Sequence, residues 1–225
     1  MQRHLDFELE KLRNRIIKMC SLVEEQVELA FKALLNGDTE LAKKVVEFEE
    51  KIDQLDIKID KFCHELVALD QPVAKDLRFI MAIIKINNDL ERIGDIALGI
   101  ANKTESVKEI LPVVIKLKID DFANFSKKMI KESIDSFINM DTSIAKIILR
   151  NVNETDKRHQ EIFRNLVTEM TIDNSIVPSA ADLVLVLRHI ARLADHATNI
   201  AEEVIFLIEG KIIKHQKNLE ILNED

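Results

Sequence analysis

Apolar positions along this chain recur every third and fourth residue in long unbroken runs, the spacing of one face of an α-helix. The first run, Leu5, Leu9, Leu12, Ile16, Met19 and Val23, predicts a helix from residue 5 to about 36. The second, Val45, Phe48, Ile52, Leu55, Ile59, Phe62 and Leu66, predicts a helix from 39 to about 69. Between them, Gly37 suits a left-handed C-cap, and Asp38 or Thr39 suits the cap of the next helix. Asp70-Gln71-Pro72 ends the second helix, and Pro72 suits the first turn of a third that runs to about 103. A softer segment, Thr104 to Pro112, follows.

The plan then repeats. A fourth helix is expected over about 113–139, a turn at Met140-Asp141-Thr142, and a fifth helix over about 142–170. The break Thr171–Ser179, with Pro178, matches Asp70-Gln71-Pro72, and a sixth helix runs from 179 to 213, ending near Gly210. Ala42-Lys43-Lys44-Val45-Val46 aligns with Ala145-Lys146-Ile147-Ile148-Leu149 at an offset of 103, which sets Asp53 on Asp156. In the third helix of each half the offset is 100, setting Arg92, Asp95, Ala97, Ile100 and Ala101 on Arg192, Asp195, Ala197, Ile200 and Ala201. The expected fold is all-α: two tandem, pseudo-symmetric three-helix bundles. The first covers residues 1–104 and the second 105–215, with a polar tail over 216–225.

Composition agrees with long helices, because 4 Gly and 3 Pro in 225 residues leave little material for turns. A net charge of -8 with no Lys/Arg block argues against nucleic acid as a partner. Cys20 and Cys63, far apart and each in a helical pattern, read as buried free thiols of a reducing compartment. With no leader pattern and no run of about 18 apolar residues, the reading is cytoplasmic, with docking on a membrane complex left open.

The candidate chemistry is carboxylate chemistry. Glu91 and Asp95, four residues apart, share a helix face with Leu77, Ile80, Ile84 and Leu98, while Arg78, Lys85, Asp89 and Arg92 fall on the expected solvent side. Carboxylates beside an apolar stripe are costly without a partner. Glu49, Asp53, Asp56 and Asp60 form a second acidic stripe on the preceding helix, where simple solvation or pairing with Lys and Arg is the plain alternative. If the two stripes face one another, hard oxygen ligands converge as Mg, Mn, Ca or ferric iron require. The second half keeps Asp156 and Asp195 but has Val152 and Ala191 four residues before them, with Glu154, Glu202, Asn199 and His159 nearby. Asp156-x-x-His159 is similar to one ligand pair of a di-iron bundle, but the paired pattern is absent. His64, His189 and His196 read as polar-face residues. No Walker loop, dinucleotide fingerprint or nucleophile elbow occurs, so an enzyme is not expected. A two-metal phosphohydrolase and a metal-free helical scaffold are the alternatives.

The stretch from Gln71 to Arg78, followed by Asp89-Leu90-Glu91-Arg92-Ile93-Gly94-Asp95, resembles the PhoU family of phosphate-signalling regulators. The stretch from Arg192 to Glu202 resembles the second repeat of that family, and the likeness spans about residue 4 to 215. The resemblance implies two similar three-helix bundles in a non-enzymatic cytoplasmic protein. It implies action with the ATPase subunit of the phosphate ABC transporter and a phosphate-sensing histidine kinase, as a negative regulator of phosphate uptake and starvation signalling. It also implies a homodimer and metal ions held by Glu/Asp-x-x-x-Asp motifs, among them multinuclear iron clusters. Carried onto this chain, the metal motif falls on Glu91 and Asp95, with Glu49 and Asp53 as the helix-two form, and on Asp195 in the second repeat beside Asp156. Asn199 and Glu202 are possible further ligands, and Arg78 and Arg92 are candidates for partner binding. Ala191, where the family carries Glu, implies an intact first cluster and a weaker or empty second one.

Overall fold

The computed structural model describes residues 2–213, so the tail 216–225 lies outside the described residues. Helices α1 (Gln2–Asn36), α2 (Thr39–Asp70) and α3 (Lys75–Ala101) pack mutually as the first bundle. Two short helices follow, α4 (Thr104–Val107) and α5 (Leu111–Lys116), with a 3₁₀ turn between them. The second bundle is α6 (Ile119–Asn139), α7 (Thr142–Arg150), α8 (Val152–Ile172) and α9 (Val177–Glu209). The described residues contain no strand.

Both predicted turns form, and by the same chemistry. Gly37 takes φ 65° and Met140 φ 55° at the equivalent place. Asp38 Oδ1 then accepts the backbone N–H groups of Glu40 and Leu41 at 3.0 Å each, and Asp141 Oδ1 accepts that of Ser143 at 2.8 Å. Each cap satisfies donors a helix N-terminus leaves open, worth about 1 kcal/mol.

Elsewhere the boundaries differ from the sequence reading. The segment 104–112 is largely helical, not soft. The fourth helix is interrupted at Leu117–Lys118, where Lys118 is left-handed at φ 53°, so its long part starts at Ile119. The fifth is split at Asn151, whose side chain makes no cap bond, into α7 and α8. The third starts at Lys75 because Gln71 and Ala74 take positive φ, leaving Pro72 outside it. Pro178, by contrast, does occupy the first turn of α9. The sixth helix ends at Glu209 with Gly210 as its left-handed cap.

The repeat extends to burial. At the 103-residue offset, Ile16, Met19, Cys20, Val23, Gln26, Val27, Ala30, Ala33 and Leu34 of α1 are buried, and so is each counterpart in α6. The bundles share one continuous core through α3 and α9. Lys85 pairs with Glu203 at 3.0 Å, and Lys103 with Asp182 at 2.8 Å. Numbers therefore rise along α3 as they fall along α9, and the two helices are antiparallel. Halfway between those pairs lie residue 94 of α3 and about residue 193 of α9, nearly equivalent positions at the 100-residue offset, as a pseudo-two-fold axis requires.

Being covered by α1, α2 and α9, α3 is apolar around most of its girth. This corrects the simple two-face reading. Its fully buried positions include Ile80, Ile83, Ile86, Leu90, Ile93 and Ala97, while Leu77 is 37% exposed. Asp89, expected in solvent, is buried against α9. Cys20 and Cys63 are buried free thiols, and burial pushes both up to about 12.

Candidate functional site

Helices α2 and α3 run antiparallel, and two contacts fix their register. Asn87 Nδ2 on α3 donates to Asp56 Oδ1 on α2 at 2.6 Å. Seven residues on, Gly94 faces Glu49, seven residues back: a Cβ there would stand 3.3 Å from Glu49 Oε2 and 3.4 Å from Ile52 Cγ2. This register sets Asp53 level with Leu90 and Glu91. The acidic stripe of α2 and the Glu91/Asp95 pair therefore do face one another.

The electrostatics record that proximity. Burial raises Glu49 to about 7; a Gln26 hydrogen bond opposes the rise, and the carboxyls of Asp95 and Asp53 add to it. Glu91 is raised by burial first and then by Asp95, with Arg92 opposing. Asp56 is raised by burial, then Asp60 and Asp53, against Arg92 and Asn87. Like charges and low polarity both disfavour ionisation, so the cluster resists carrying its full negative charge. Arg92 is the cation present: its Nη1 lies 2.9 Å from Asp95 Oδ2 and its Nε 3.3 Å from Glu91 Oε2. That Glu91 oxygen is buried and accepts no hydrogen bond. A cleft of about 560 Å³ opens alongside, lined among others by Asp56, Asp60, Lys85, Asp89, Glu91 and Asn199.

Glu49 is the buried member of the group, at 8% exposure. Gln26 on α1, itself fully buried, donates Nε2 to Glu49 Oε2 at 2.6 Å and to the Val45 carbonyl at 3.4 Å. Sequence reasoning missed Gln26, yet a signal was there: it interrupts the apolar run Met19, Val23, Val27, Ala30 at a core position. It also missed that His196 Nδ1 meets Asp89 Oδ1 at 2.8 Å, where Asn199 Nδ2 donates as well at 2.9 Å. Asn199 thus serves the first repeat's α3, and His196 is not a plain surface residue.

The second repeat brings less together. Burial and then the charge of Asp156 raise Asp195, so these two acids are neighbours. Glu154 is engaged by Arg158 at 2.9 Å, and His159 stacks on Phe163 at 6.4 Å between ring centroids. Glu202 is half-buried on α9. Arg78, at the other end of α3, packs its guanidinium against Gly210 at the end of α9, away from the acids.

The donor chemistry of the first repeat fits a hard cation: all oxygen, anionic, mutually repelling, with one buried oxygen that accepts no hydrogen bond and has only the Arg92 charge beside it. Among the described residues no three His, Cys, Asp or Glu side chains already converge as a ready ligand set. A cation would have to draw the carboxylates of α2 and α3 together. No single helix among the described residues is long and apolar enough to cross a membrane.

Comparison with known proteins places this geometry in context. A family profile described as "PhoU domain" matches residues 16–104 and again 119–204. The phosphate-specific transport system accessory protein PhoU homolog of Aquifex aeolicus is 39% identical over 209 residues, covering 93% of this chain and 95% of that protein. The crystal structure of PhoU from Pseudomonas aeruginosa superposes with a TM-score of 0.86 at 33% identity, covering 92% of this chain and 99% of that one. The phosphate transport system regulatory protein PhoU from Streptococcus pneumoniae gives 0.84 at 27% identity, covering 93% and 99%.

Proposed function

This chain belongs to the PhoU family, and on that premise we propose that it is a non-enzymatic negative regulator of phosphate uptake and phosphate-starvation signalling. The observation that carries the reading is the match of both repeats to relatives named as accessory or regulatory proteins of the phosphate transport system, over nearly their whole length. Long helices with broad outer faces suit the binding of protein partners. Its partners in this reading are the ATPase subunit of the phosphate ABC transporter and a phosphate-sensing histidine kinase, met in the cytoplasm by a homodimer of this chain.

The same reading assigns a hard metal ion, iron or another di- or trivalent cation, to Glu49, Asp53, Glu91 and Asp95. Bound there, it would supply positive charge that offsets their mutual repulsion and ties α2 to α3. The corresponding place in the second repeat, Asp156 and Asp195, lacks two of the four carboxylates and is the weaker site.

The test is complementation. In a bacterium lacking its own PhoU-family gene, the wild-type chain is expected to restore low phosphate uptake and a silent starvation reporter in phosphate-rich medium. Both staying high, with the chain expressed and folded, would overturn the reading. Pull-down of the ATPase subunit and the kinase sensory region checks the partners separately.

A further inference from the structure

Four positions around the first acidic site change together in the second repeat. Gln26, Glu49, Glu91 and Gly94 become Met129, Val152, Ala191 and Ala194, while Asp53 and Asp95 persist as Asp156 and Asp195. The exchange is physically coherent. Met129 is buried where Gln26 is buried, and its sulfur lies 3.7 Å from the Thr155 hydroxyl rather than against a carboxylate. Where the glutamate is gone, the amide is gone, and the small gap that Gly94 keeps open is filled by a methyl group.

We propose that Gln26 is the positioning residue that makes the first repeat better able than the second to hold a hard cation, by fixing the Glu49 carboxylate at the floor of the site. The proposal rests on the cation reading given above and deepens it. A fully buried glutamine with one amide oxygen unpartnered is a poor core residue on its own account. Its presence is explained by Glu49, to which it donates at 2.6 Å, with the Val45 carbonyl at 3.4 Å fixing which end of the amide faces the carboxylate. An amide suits this task better than Lys or Arg, because it orients the carboxylate without cancelling its charge. Gly94 completes the arrangement: a Cβ there would stand 3.0 Å from Gln26 Oε1 and 3.3 Å from Glu49 Oε2, so a larger residue would crowd the pair and force it to give way. Loss of a partner that orients a ligand in this way typically costs about 10–100-fold in metal affinity.

The experiment is Mn²⁺ titration of the full chain, read by electron paramagnetic resonance, alongside the melting temperature of the metal-free protein. Gln26→Met installs the second repeat's own solution and keeps the core filled; Gln26→Leu is the second variant should the first not fold. The expected result is metal-free stability at or above wild type with Mn²⁺ affinity lowered about tenfold or more, a split that a purely structural role would not produce. Affinity within twofold of wild type, where Glu91→Ala/Asp95→Ala abolishes binding, overturns the role of Gln26 and leaves the site standing. A wild-type chain that binds no Mn²⁺, Fe³⁺ or Mg²⁺ overturns the site itself and this inference with it.

Discussion

Asp89 of α3 and His196 of α9 meet at 2.8 Å across the boundary between the two repeats, with both side chains largely buried. Asn199 donates to the same carboxylate oxygen at 2.9 Å. The halves are therefore joined by a directional polar contact as well as by apolar packing. Asp89→Ala leaves two half-buried partners without their acceptor and is expected to cost about 1–3 kcal/mol. Urea denaturation measures it. Asn199→Ala made in the Asp89→Ala background should cost much less than in wild type, because the bond is already lost.

Glu49 gives the pH dependence. Its carboxyl sits at about 7 when folded and ionises near 4.5, its ordinary value, when unfolded. Between those values the folded state holds a proton that the unfolded state lacks. This group therefore adds stability as pH falls from above 7 toward 4.5, and its full cost is present above about 7. Glu91, Asp56 and Asp195 are raised too and act in the same direction. Glu49→Gln is expected to melt higher than wild type at pH 8, with the gap closing by about pH 5.5. Thermal melts of the metal-free proteins across that range check it, and a gap that widens on acidification would contradict it.

Gly94 tests the geometry of the floor. Alanine in a helix interior is worth about 1 kcal/mol over glycine. At Gly94 that gain is opposed by crowding of Gln26 and Glu49, which their hydrogen bond holds in place. Gly94→Ala is therefore expected to stabilise a Gln26→Met/Glu49→Val background by about 1 kcal/mol more than it stabilises wild type. A denaturant cycle with equal effects in both backgrounds would contradict the crowding.

Arg92 neutralises part of the acidic face, at about half exposure for both Arg92 and Asp95. A pair so solvated contributes at most about 1 kcal/mol. Arg92→Gln is thus expected to change stability little, yet to tighten Mn²⁺ binding by roughly fivefold, because the guanidinium no longer competes for Glu91 and Asp95. Calorimetric titration of variant and wild type at equal ionic strength measures this, and unchanged or weaker binding counts against it.

Much of this was legible in the chain itself. Apolar spacing gave the long helices, and Gly37-Asp38 and Met140-Asp141 gave the turns because cap chemistry is local. The facing of Glu49 and Asp53 on Glu91 and Asp95 stayed conditional in the sequence, because periodicity does not set the register of two helices; the Asn87–Asp56 bond and the approach of Gly94 to Glu49 set it. The break at Asn151 was hidden, since the Asn151 side chain makes no cap bond and no Gly or Pro marks the place. Asp89 was misplaced because α3 is covered on several sides by elements far away in sequence, and a single-helix periodicity cannot see α9. Gln26 was overlooked because its role depends on a contact 23 residues away with Glu49. The polar residue in an otherwise apolar stripe was the visible clue.

The central claim is that the first repeat is the principal site for a hard cation and the second repeat a weaker or empty one. The direct measurement is element analysis of purified, untagged protein in three forms: wild type, Glu91→Ala/Asp95→Ala, and Asp156→Ala/Asp195→Ala. The account predicts metal in the wild type, its loss in the first variant and its retention in the second. Equal loss in both variants, or a folded wild type free of metal, would contradict it and leave the acids as docking or ion-pairing groups of a helical adaptor.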